Sequence, residues 1–227
     1  MQRTVMSWGF ALACARALSA QTAPQDSLLR ARYALEVRAF PAYQEGATRY
    51  ELVLRMPEGD RLSAIFGTDK HPMVLSTPEG AFNSPYNGSW SASGMNPKFF
   101  EIMPEMQDDS YATIGLRTAS RASGMEGAED PTMVQDPGEP WDAFFTENGA
   151  KELRMASWTG GAWFVVRTAA NGASRDGEVL VAQVTTTGTF SGTFNAHVFP
   201  NVEGVDQAKV RMSFHGPGFY PAELLAE

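Results

Sequence analysis

Acidic side chains crowd one stretch of this chain. Glu126, Glu129, Asp130, Asp136, Glu139 and Asp142 follow one another closely, and Asp108 and Asp109 stand upstream. Oxygen-rich loops suit calcium, which takes about six to eight oxygen ligands from carboxylates and carbonyls. Glu126, Glu129, Asp130 and Asp136 are the candidate calcium ligands, although no Asp-x-Asp-x-Asp-Gly spacing organises them. A solvated acidic loop is the plainer alternative. A pair of these carboxylates working as acid and base on a glycosidic bond is a further one. The three histidines, His71, His197 and His215, are too widely spaced for a metal motif. His197 and His215 fall among the polar residues of strand-like segments. They read as surface histidines unless those strands pair and bring the rings onto a metal. No Gly-x-Ser-x-Gly elbow is present, and Gly160-Gly161 does not open a helix, so neither a serine nucleophile nor a phosphate loop is indicated. No catalytic residue is assigned. Tyr86 and Trp90, in a Ser/Gly-rich loop, are candidates for stacking on sugar rings. Asn87-Gly88-Ser89 between them matches a glycosylation sequon.

Strands must position these loops. Tyr33, Leu35, Val37 and Ala39 alternate with Arg32, Glu36 and Arg38; Tyr50, Leu52, Leu54 and Met56 alternate with Arg49, Glu51 and Arg55. Leu62, Ala64 and Phe66 repeat the pattern, as do Val210, Met212 and Phe214. Successive side chains of a strand leave opposite faces, so this period of two marks half-buried antiparallel strands. Thr189–Phe199 alternates over its whole length. The Val/Thr-rich segment 178–186 precedes it, and Thr187-Gly188 supplies a turn, which together predict a long hairpin. Trp163–Arg167 reads as an apolar strand. Helix is confined to a turn or two in 97–107 and 142–148, and the tail 222–226 is expected to be one helical turn or frayed. The fold class is therefore all-β: an antiparallel β-sandwich, jelly-roll or immunoglobulin-like, with one or two short helical turns. The loops 76–96 and 119–140 are long enough to be functional.

Residues 1–20 read as a signal peptide, with Arg3, an apolar run and small residues at Ala17-Leu18-Ser19-Ala20; residues 21–227 are then expected to form one domain. Ala11-Leu12-Ala13-Cys14 faintly matches a lipoprotein box, a second way of exporting the chain. Cys14 is the one cysteine and falls inside the leader, so the exported part is expected to be cysteine-free. The formal charge of −8 argues against nucleic acid and anionic membranes as partners. No segment has the apolar length of a transmembrane helix.

Four segments in order, 109–115 (DSYATIG), 160–165 (GGAWFV), 179–186 (VLVAQVTT) and 191–200 (SGTFNAHVFP), resemble a β-rich module of secreted proteins from planktonic bacteria and algae. The likeness spans about Phe99 to Gly216. It implies secretion and β structure, and it brings no catalytic residue. The expected location is secreted, extracellular or periplasmic, and the expected role is non-catalytic: structural, adhesive or binding, toward an extracellular polymer or protein surface. A glycan-binding module, calcium-assisted or not, is the alternative, and a hydrolase using loop carboxylates is the third.

Overall fold

The computed structural model describes residues 29–225. The segment read as a leader, 1–20, lies outside them. Thirteen strands follow in chain order. They are β1 (Ala34–Pro41), β2 (Thr48–Arg55), β3 (Arg61–Gly67), β4 (Met73–Ser76), β5 (Tyr111–Ala112), β6 (Thr132–Val134) and β7 (Glu152–Met155). After these come β8 (Gly161–Phe164), β9 (Glu178–Thr186), β10 (Ser191–Phe199), β11 (Ala208–His215), β12 (Gly218–Pro221) and β13 (Glu223–Leu224). An α-helical turn, α1 (Ala143–Thr146), lies between β6 and β7, and short 3-10 turns include Pro97–Phe99 and Pro104–Asp108.

The strands form two packed antiparallel sheets, the architecture of a β-sandwich. The first has the order β12-β1-β2-β9-β5. The second runs β13-β11-β10-β3-β8-β6, with β4 beside β10 and β7 beyond β4. The alternating apolar rows meet between them: Leu35, Val37, Leu52, Leu54 and Val184 from one side, Leu62, Ile65, Phe194, Val198, Val210 and Met212 from the other. Removing these rows from water is what drives the two layers together. An aromatic cluster closes the core near α1. Trp141 lies 5.4 Å from Trp163 between ring centroids, and Phe145 is edge-on to both. Burying an indole strands its N–H unless an acceptor is at hand, and both find one: Trp141 donates to the Val134 carbonyl at 2.8 Å, and Trp163 to that of Thr113 at 3.1 Å.

Four expectations are corrected. β9 and β10 are not a hairpin, since β9 pairs with β2 and β5 in one sheet and β10 with β11, β3 and β4 in the other. A turn residue reverses the chain without deciding what each arm pairs with. β9 is buried along nearly its whole length, which suits an inner strand covered on both faces. In β3, Leu62 and Ile65 face the core and Phe66 does not, because the register slips against His197/Val198 of β10. One extra residue in a strand sends every later side chain to the other face. The tail forms β13, paired to β11, and no helical turn is seen through Leu225. Finally, the chain is not cysteine-free: it contains Cys14, which lies outside the described residues. That expectation held only for a chain already cut behind its leader. One cysteine cannot close an intrachain disulfide, so packing and hydrogen bonds hold the sheets.

Candidate functional site

The outward face of the first sheet carries the polar halves of the alternating strands. Arg38 of β1 donates to Glu178 of β9 at 2.5 Å and to Glu36 at 2.9 Å, and Arg55 of β2 reaches the same Glu178 at 2.5 Å. Farther along, Glu51 of β2 receives both arms of the Arg117 guanidinium. Such forked pairs fix orientation as well as charge.

Residues 82–110 leave the sheet edge and fold back over this face. Phe82 extends the β9 ladder by donating to the Thr185 carbonyl at 2.7 Å. Gln183, pointing outward from β9, donates to the carbonyls of Gln107 and Asp109 at 2.8 and 2.7 Å. Asn83 ties the other end to α1 through the carbonyls of Phe144 and Glu147, both at 2.9 Å. The roof is anchored at Asp109. Its carboxyl accepts from the Ser84 N–H at 2.6 Å and from the Asn87 side-chain amide at 2.5 Å. Burial nonetheless pushes this carboxyl up to about 7, outweighing the donors of Ser84, Asn87 and Ser110 that favour its charged form.

Between sheet and roof lies a pocket of about 120 Å³. Arg49, Glu51 and Gln183 form its floor, Tyr111 and Arg117 a wall, and Met95, Phe100 and Gln107 the roof. Tyr111 is buried, and that loss of water raises its hydroxyl well above the ordinary tyrosine range. Arg49 is the open group here. Its Nε is buried without a hydrogen-bond partner, and its guanidinium carbon sits 5.7 Å from the centroid of the Phe40 ring. Tyr43, largely exposed, stands at the rim with its hydroxyl 3.2 Å from the Gln107 amide. The site therefore offers a free planar cation, a paired glutamate, side-chain amides and aromatic edges. This is recognition chemistry.

None of the calcium or stacking candidates read from the sequence lines this pocket. Glu126, Glu129 and Asp130 are exposed, and Asp130 accepts from the Ser120 N–H at 2.7 Å and its hydroxyl at 3.1 Å. Asp136 accepts from the Gly138 N–H at 2.9 Å, and that bond, with help from Ser157 and Thr159, holds its carboxyl below the usual range. Among the described residues no three His, Cys, Asp or Glu side chains converge as metal ligands. Trp90 is half-buried, edge-on to Trp141 at 5.2 Å, so much of its face packs on the core. Tyr86 is 62% exposed on the same loop. Asn87, the sequon residue, is buried with its amide on Asp109, and the fold uses it as a brace for the roof. His197 and His215 do lie on paired strands, but opposite Lys209 and Ser191 respectively, which puts them roughly 20 Å apart along the ladder.

Arg49, Glu51, Gln107, Arg117 and Gln183 were not candidates from the sequence. One signal did exist for Gln183: it is the lone polar side chain among Val179, Leu180, Val181, Ala182 and Val184, in a strand too apolar to face water. Arg117 carries no such mark, since only the fold brings it to Glu51. No protein-family model, curated protein or solved structure matches the chain.

Proposed function

We propose that this chain is an exported binding protein that acts without catalysis, and that it holds an extracellular polymer at the roofed pocket on its first sheet. The observation that carries the reading is Arg49, which lines a pocket shared with Gln107, Tyr111 and Gln183 and whose buried Nε has no hydrogen-bond partner. A native structure rarely buries a donor without a use for it. The one carboxylate of the pocket, Glu51, has both oxygens engaged by Arg117, which suits positioning better than proton transfer. Export is supported by the basic, apolar and small-residue order of residues 1–20.

The test is retention of the full chain on a panel of extracellular polysaccharides, alongside the Phe100→Ala variant. Binding without release of reducing ends over time, weakened about tenfold in the variant, is the expected result. Time-dependent cleavage would overturn the non-catalytic reading. Retention unaffected by Phe100→Ala would move the site away from this pocket.

A further inference from the structure

The size and charge of the pocket specify more than a location. At about 120 Å³ it is well above the space a single water needs and admits a compact polar group. Its charged lining is two arginines and one glutamate. Arg117 and Glu51 cancel each other through a forked pair, which leaves Arg49 as the uncompensated charge. The pocket is thus locally cationic in a chain whose formal charge is −8. Glu51 cannot turn toward Arg49 without giving up Arg117. Gln183 is likewise committed, since its amide donates to two backbone carbonyls. A planar guanidinium with open N–H groups matches a planar anion of two oxygens. Phe100 lines the pocket and the exposed Tyr43 accepts from the lining residue Gln107, so aromatic surface is at hand for the rest of such a ligand. Aromatic faces pack on the C–H faces of sugar rings, whereas a bare inorganic anion has nothing to place there.

We infer that the pocket binds the carboxylate of a uronic-acid residue in an acidic polysaccharide, with Arg49 gripping the carboxylate and Phe100 and Tyr43 flanking the ring. This inference rests on the binding reading above and narrows it to one ligand class. Neutral sugars lack the group that Arg49 awaits. The −8 charge of the chain confines attraction to the pocket, so binding should depend on fit as well as on field.

Calorimetric titration of the full chain with methyl glucuronide, methyl glucoside and N-acetylalanine tests it. The glucuronide is expected to bind at least about tenfold more tightly than either of the others. Arg49→Met, which keeps the aliphatic stem, should remove that preference, and Arg49→Lys should restore only part of it. A thermal melt of each variant confirms that it is folded. Equal binding of glucoside and glucuronide, unchanged by Arg49→Met, would overturn the carboxylate assignment and leave the pocket as a neutral-sugar site. Equal binding of N-acetylalanine and glucuronide would overturn the sugar assignment. If none of the three probes binds and no polysaccharide is retained, both this inference and the binding reading fall.

Discussion

Two buried carboxyls of opposite tendency set how single residues respond to pH. Asp109 is raised by burial from an ordinary 3.8 to about 7. Between those values the folded chain holds a proton that the unfolded chain has lost. Its contribution to stability is therefore full below about pH 4 and is lost as pH rises through 7, at up to about 1.4 kcal/mol per pH unit. Asp60 runs the other way. Burial opposes its charge, but the Arg32 fork, the Asn201 N–H and the Tyr33 hydroxyl outweigh that and hold it below 3.8. Its contribution is present above the ordinary value and fails as pH drops beneath it. From these two groups stability peaks near pH 4 and declines toward neutrality. Urea melts from pH 4 to 8 should show that decline, and Asp109→Asn, neutral throughout, should flatten it. A wild-type profile level across this window would show that Asp109 is solvated. The same anchor predicts that the roof over the pocket loosens above pH 7, where Asp109 carries a buried charge that its Ser84 and Asn87 donors do not fully offset.

At the scale of elements, two contacts join parts of the chain that no local pattern connects. Asn195 of β10 donates to the carbonyls of Phe66 and His71 at 3.1 and 2.8 Å and accepts from Arg211 at 3.0 Å. It bridges the gap where β3 ends and β4 begins along one edge of β10. Asn195→Ala leaves these partners unsatisfied and should cost about 1–3 kcal/mol in denaturant unfolding. A loss under half a kilocalorie would mean that water replaces the amide. Gly115 follows β5 with φ at +68°, and a Cβ there would run into the Asn171 carbonyl oxygen. Asn171 in turn donates to the Ile114 and Glu129 carbonyls at 2.7 and 3.0 Å, tying this turn to the acidic loop. Gly115→Ala therefore combines left-handed strain of about 1–2 kcal/mol with a backbone clash. Its melting midpoint should fall by more than that of Gly124→Ala, where φ is +71° but the space is open. Equal losses at the two positions would show that strain alone matters.

For the whole molecule, polarity divides by side. One face of the first sheet is roofed and bears the pocket, while in the acidic loop Glu126, Glu129 and Asp130 are exposed and Asp130, Asp136 and Glu139 accept from separate backbone N–H groups. Chelator followed by millimolar calcium should therefore leave the melting temperature unchanged, because a ligand raises it only by preferring the folded state. A rise with calcium would require ligands that the fold holds apart to come together. The layered β architecture was legible from residues alone, since a period of two along Tyr33–Ala39, Tyr50–Met56 and Val210–Phe214 follows from strand geometry and needs no partner to be recognised. So was the identity of most core residues, including Trp163. Which strands pair was not: Thr187-Gly188 looks the same whether its arms join each other or separate sheets, and one bulge in β3 reverses a face that alternation had assigned. The pocket was out of reach for the same reason. Arg49, Gln107 and Arg117 are unremarkable where they stand, Gln183 is marked only as a polar residue in an apolar strand, and only the fold of 82–110 over β2 and β9 makes them neighbours. Periodicity is a local consequence of backbone geometry and can be read one segment at a time. A site is a coincidence of distant segments, and the energy that selects it belongs to the packing of the whole.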